Sequence, residues 1–165
     1  MKTFLRLTCW TLGLLAACSL HAQTLWPGTT AGMTVEDVKR AFPDVHAPEV
    51  ENILPAGRGA QLLELDEVAI ADHKFKVGFF FKEGRLVVVT LGEVGEIAVK
   101  DFEKFRDLLR ANYGHEYSMR NGESLQLTWK VAKTVILLTW MPEGHGIASL
   151  SIAYEAPVPK EGNRL

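Results

Sequence analysis

The stretch KFKVGFFFKEGRLVVVTL, Lys74 to Leu91, decides how this chain is read. Phe75, Val77, Phe79 and Phe81 alternate with Lys74, Lys76, Gly78 and Phe80. A period of two this regular marks a strand with one buried and one wetter face. Glu83-Gly84 then turns the chain back into a second strand, Leu86 to Leu91. Because Phe79, Phe80 and Phe81 run consecutively, Phe80 must face away from its two neighbours. If that face is uncovered it presents an apolar patch suited to protein or lipid contact; if both faces are covered, all three rings are core.

Working outward, Leu62 to Val68 reads as a further strand. The connection from Pro43 to Gly59, punctuated by Pro43, Pro48 and Pro55, reads as an ordered loop and a candidate contact region. Before it, Thr34 and Asp37 have the spacing of a capping box, and Val35, Val38 and Phe42 share a helical face that Pro43 ends. After the hairpin, Val99, Phe102, Phe105, Leu108 and Leu109 form the apolar stripe of a helix from Ala98 to Asn112, closed by Gly114. Three strands follow, over Leu125 to Val131, Thr134 to Trp140 and Ile147 to Tyr154. The order helix, three strands, helix, three strands predicts an α+β fold: two helix-plus-three-strand units with antiparallel sheet and the helices packed on it. On this reading 34–155 is one domain, 23–33 a lead-in whose Trp26 tucks against it, and 156–165 a flexible tail.

The first residues have a different character. Lys2 and Arg6 precede an apolar run from Leu7 to Leu20, the pattern of a signal peptide occupying 1–22 and too short to span a bilayer. Leu15-Ala16-Ala17-Cys18 resembles a lipobox, which implies cleavage before Cys18 and acylation of its thiol. Cleavage after Ala22 is the alternative. Cys9 and Cys18 are the only cysteines, so the mature domain holds no disulfide and depends on burial alone. Removing Lys2 and Arg6 from the 18 basic residues leaves 16 against 20 acidic ones, a net charge of −4. That excludes charge-driven binding to an anionic membrane and, with a pI near 6.2, a nucleic-acid backbone as partner. Length and a hydrophobic content of 47% suit a single globular core.

Catalytic signatures are absent from the mature sequence: there is no G-x-S-x-G, P-loop, G-x-G-x-x-G, H-E-x-x-H or C-x-x-C. His46, His73, His115 and His145 are scattered without metal-ligand spacing and read as surface histidines. Among Glu49, Glu51, Glu64, Asp66 and Glu67, only Glu64 and Asp66 share a strand face at a separation of about 7 Å, as paired carboxylates of a glycosidase would. A solvated strand face that keeps an edge soluble is sufficient explanation for them. The sequence therefore calls for no catalytic residue, no metal and no cofactor. Its candidate binding residues are the strand aromatics Phe79, Phe80, Phe81, Trp129, Trp140 and Tyr154, with Cys18 as the lipidation site.

Gly32-Met33-Thr34, followed by Val38 and the Phe42-Pro43 break, resembles the helix start of the small SmpA/OmlA-like outer-membrane lipoproteins and of the wider group sharing the β-lactamase-inhibitor-protein fold. The match covers about a dozen residues, and no second Gly-Met-Thr precedes Val99. The resemblance implies helix-then-sheet units, sometimes in tandem, in a non-catalytic, protein-binding envelope module, and transfers no binding residue. The expectation is an exported, lipid-anchored, non-enzymatic protein of the bacterial periplasm, held at the outer membrane. Its partner is another envelope or secreted protein, bound in an inhibitor, immunity or assembly role. The alternatives are a carrier of a lipid or small apolar ligand lined by Phe79, Phe81, Trp129 and Trp140, and a small secreted hydrolase.

Overall fold

The computed structural model describes residues 23–93, 97–120, 122, 124–144 and 147–156. Cys18, both processing positions, His145 and residues 157–165 lie outside them. Helix α1, Val35–Ala41, begins where the capping residues place it. The Thr34 hydroxyl accepts from the Asp37 amide at 3.1 Å, and the Asp37 carboxylate accepts from the Thr34 amide at 3.0 Å. A two-residue strand β1, Ile53–Leu54, and a 3-10 turn, Pro55–Gly57, lead into β2, Gly59–Ile70. The hairpin read from the alternation comprises β3, His73–Lys82, and β4, Arg85–Glu93. Glu83 and Gly84 both take positive φ, 52° and 72°, as do Ala71 and Asp72 between β2 and β3. Two left-handed residues in succession match the twist of the flanking strands. Helix α2, Val99–Tyr113, is followed by β5, Ser118–Arg120, β6, Leu125–Val131, β7, Thr134–Gly144, and β8, Ile147–Glu155.

All eight strands join one antiparallel sheet in the order β1-β2-β3-β4-β8-β7-β6-β5, curled as a half-barrel. This corrects the expected α+β arrangement of two helix-plus-three-strand units with helices packed on the sheet. The physical reason lies at the centre of the sheet. Val88 to Gly92 of β4 pair with Glu155 to Ser151 of β8, so the strand edges that two separate units would leave unpaired satisfy each other. The helices are too small to form a layer: α1 buries only Val38, and α2 buries Phe102, Phe105 and Leu109 against one region of the sheet. Most of the architecture is strand.

The two faces of the sheet differ in composition. On the helix face Phe75, Val77, Phe79 and Phe81 meet Val89 and Leu91 of β4, Leu127 and Trp129 of β6, Ile136 and Leu138 of β7 and Leu150 and Ile152 of β8 in one buried cluster. The lead-in joins it: Leu25 and Trp26 are buried, with Trp26 stacked on Phe42 at 5.6 Å and edge-on to Phe79 at 6.4 Å. At about 1.5–3 kcal/mol for each large side chain removed from water, this cluster supplies what a small domain without a disulfide needs.

Register fixes what lies on the other, open face. One row runs Glu64, Gly78, Thr90, Ala153, Leu137 and Thr128 across six strands. The neighbouring row runs Lys76, Gly92, Ser151, Thr139 and Gln126. Apart from Leu137 these are small or polar residues, half-buried rather than packed under a second layer from Thr90 onward.

Candidate functional site

The connection between α1 and β2 folds back along the edge of the sheet. His46 and Glu64 exchange backbone hydrogen bonds, 3.0 Å from the His46 amide to the Glu64 carbonyl and 2.8 Å in return, and the Gln61 amide donates to the Asn52 carbonyl at 2.8 Å. Residues 49–52 thereby form one wall of a groove of about 500 Å³ whose floor includes Gly78, Thr90 and Gly92 and which Glu64 and Lys76 also line. Glycine is needed in that floor. A Cβ on Gly78 would stand 2.9 Å from the Thr90 hydroxyl and 3.1 Å from the Phe80 ring. The long connection singled out from sequence thus supplies a wall of the groove, with Val50 and Ile53 exposed beside it.

Beside this groove four polar side chains converge: Glu64, Lys76, His46 and Asp66. Glu64 is buried at 5% exposure, and its carboxylate accepts from Gln61 Nε2 at 3.1 Å and from Lys76 Nζ at 3.3 Å. Asp66, two residues on and therefore on the same strand face, lies 2.9 Å from His46 Nε2 and 3.6 Å from Lys76 Nζ. The other ring nitrogen, His46 Nδ1, is 2.9 Å from the Ala47 carbonyl. That carbonyl and the Asp66 carboxylate raise the His46 pKa; His46 in turn lowers that of Asp66, and Glu64 raises that of Lys76. A glycosidase pair needs one carboxyl kept protonated. Here Asp66 is held anionic, and both carboxylates sit against a cationic partner. Period two placed Glu64 and Asp66 on one face, but Glu64 is buried rather than solvated. The role of His46 was not legible, because it arrives through a bridge 18 residues away.

The six aromatics proposed as binding residues are not a surface. Phe79, Phe81, Trp129 and Tyr154 are buried on the helix face, where Trp140 also packs partly buried against the cluster. Burial raises the Tyr154 phenol's pKa. Phe80 does point to the opposite face, yet it is only 2% exposed. Arg58, following the 3-10 turn, reaches over β3 and β4 to Glu155 on β8 at 2.8 Å and lies across that end of the face.

A second polar cluster sits on the helix face. His73 Nδ1 bonds Glu93 Oε1, and His73 Nε2 lies 3.5 Å from Asp101 at the start of α2. The His73 ring packs edge-on to Phe105, and Glu93 Oε2 has no partner among the described residues. Sequence neighbours do not pair here: Asp72 pairs with Lys104, not His73, and Glu116 pairs with Arg110, not His115.

The site is therefore an open-faced groove on a curled antiparallel sheet, lined in part by Glu64 and Lys76, with His46 and Asp66 against that pair. No family model, no curated protein and no solved structure matches this chain. Among the described residues no helix is long and apolar enough to cross a membrane.

Proposed function

We propose that this protein is an exported, lipid-anchored, non-enzymatic module that binds another envelope or secreted protein through the open face of its sheet, as an inhibitor, immunity protein or assembly factor. The observation that carries the reading is that face itself. Two registered rows, small and polar but for Leu137, cross the sheet without a covering layer and lead to a groove walled by residues 49–52. A broad, rigid, half-buried surface of this kind accepts a partner's loops with little reorganisation. Resemblance of the Gly32-Met33-Thr34 segment to the SmpA/OmlA-like lipoproteins is consistent with it. The apolar-carrier alternative loses its support, since Phe79, Phe81, Trp129 and Trp140 pack against the protein's own core.

A photo-crosslinking residue at Ser151, on the open face, is expected to trap one dominant protein in the envelope of the producing cell. The same residue at Lys104, on α2, traps none. Equal labelling from both positions, or no adduct from Ser151, Thr139 or Thr90, would refute the proposal. Anchoring is tested separately: Cys18→Ser releases the protein from membranes, and unchanged fractionation would remove the lipid.

A further inference from the structure

We infer that His46, Glu64 and Asp66 form a binding site for a divalent transition ion of the Zn²⁺ class, with Lys76 holding its place when no ion is bound. This does not rest on the binding-module reading, and either can fail alone.

Three observations carry it. First, the donor set is compact: one atom from each of the three side chains lies within 4.8 Å of the others. The His46 Nε2 to Asp66 Oδ2 separation of 2.9 Å is already close to that of neighbouring ligands around a tetrahedral ion with bonds of about 2.0–2.2 Å. His46 and Asp66 are exposed, whereas Glu64 is buried with its Oε1 3.8 Å from the His46 ring, so closure falls to the two outer side chains. Second, the backbone holds the site. His46 and Glu64 are a directly hydrogen-bonded antiparallel pair, and Asp66 follows on the same face at period two.

Third, the outer shell suits metal ligation. A ligating histidine normally donates its remaining ring N–H to a backbone carbonyl or carboxylate, which fixes the tautomer. His46 Nδ1 is 2.9 Å from the Ala47 carbonyl, leaving Nε2 aimed at Asp66. Gln61 likewise holds Glu64 Oε2 at 3.1 Å, leaving Oε1 toward the cluster. One nitrogen with two carboxylate oxygens favours a borderline ion over Mg²⁺ or Ca²⁺, which prefer oxygen alone.

Lys76 is the apparent objection and becomes part of the device. Its ammonium stands 3.3 Å from Glu64 and 3.6 Å from Asp66, both longer than a close charge-assisted contact of about 2.8 Å. Its side chain is half exposed, on a flexible stem that can swing into the groove. A divalent ion and this ammonium repel each other, so Lys76 weakens the site and keeps the two carboxylates compensated without the ion.

The test is calorimetric titration of Zn²⁺ into the protein purified from its producing cells and freed of chelator, with Co²⁺ absorption as a second readout of coordination. One ion per chain is expected. His46→Gln weakens binding by about tenfold or more, and Lys76→Met tightens it by about tenfold. Both substitutions fall on solvent-facing side chains, and circular dichroism checks that each variant is folded. Absence of saturable binding up to about 100 µM, an affinity well below that of structural zinc sites, would overturn the inference. So would binding that His46→Gln leaves unchanged, or that Lys76→Met weakens.

Discussion

Two histidines in this protein each stand between two carboxylates, and the sheet separates them. On the open face His46 lies beside Asp66 and Glu64, with Lys76 completing the charge balance and solvent reaching His46, Asp66 and Lys76. On the helix face His73 joins Glu93 to Asp101 under the first turn of α2, with side-chain exposures of 5–17% and the Phe105 ring against the imidazole. The same three side-chain types are thus structural in one place and available in the other. What separates them is access to water and to a compensating cation: a buried carboxylate cannot lose its partner cheaply, while an exposed one can exchange partners.

The largest effect expected follows from packing beneath the buried cluster. Phe105 is fully buried and meets Phe75 edge-on at 5.2 Å and His73 at 5.3 Å, so Phe105→Ala removes the ring on which both α2 and the cluster rest. A loss of about 3–5 kcal/mol is expected in urea unfolding. A loss below about 1 kcal/mol would mean that α2 is not held there. Next comes His73→Ala, which leaves Glu93 and Asp101 without the ring that stands between them. About 2–3 kcal/mol should go, less than for a fully buried pair because His73 keeps some solvent contact. If His73→Ala is no worse than His46→Ala, the contrast between the faces is wrong.

A third prediction concerns acid. Arg110 on α2 grips Glu116 through two nitrogens, Nε at 2.8 Å, and its hydrogen bonds lower the Glu116 pKa to about 2. A carboxyl whose pKa is depressed in the folded state stabilises above its unfolded value and loses that contribution as pH falls toward the folded value. Stability should therefore decline between about pH 4.5 and pH 2 in the native protein. Glu116→Gln should flatten that limb at a cost near neutrality of about 1–2 kcal/mol, below the full shift because Arg110 faces water. Urea titrations at several pH values measure both.

Local patterns revealed the pieces of the fold better than their assembly. Phe75, Val77, Phe79 and Phe81 do line one face of β3, and the Thr34–Asp37 box does start α1, because alternation and capping act over a few residues. The joining of β4 to β8 brings Val89 beside Tyr154 and left no local trace. With two- and three-residue strands β1 and β5 also too short to show a period, two helix-plus-three-strand units with helices packed on the sheet were the natural but mistaken inference. The candidate site divides the same way. Glu64 and Asp66 were legible as neighbours on a strand, whereas His46 and Lys76 reach them only through pairings that folding creates. Aromatic content was the weaker guide, since it suited a binding face and a core alike, and Phe79, Phe81 and Trp129 are what the core is made of.

The smallest effect expected is the sharpest test of the comparison. His46→Gln removes a ring from the exposed cluster, yet Lys76 and Gln61 still satisfy Glu64, and Asp66 can turn to water. The backbone bridge between His46 and Glu64 uses no side-chain atom, so the wall of the groove keeps its course. Exposed ion pairs contribute little to stability, and the urea midpoint of His46→Gln should coincide with that of the native protein within error. A midpoint shifted as far as that of His73→Ala would make the open-face cluster a second structural staple. An unmoved midpoint means that its charges are held in place by the sheet rather than holding the sheet together, the condition under which a side chain is free to serve a ligand.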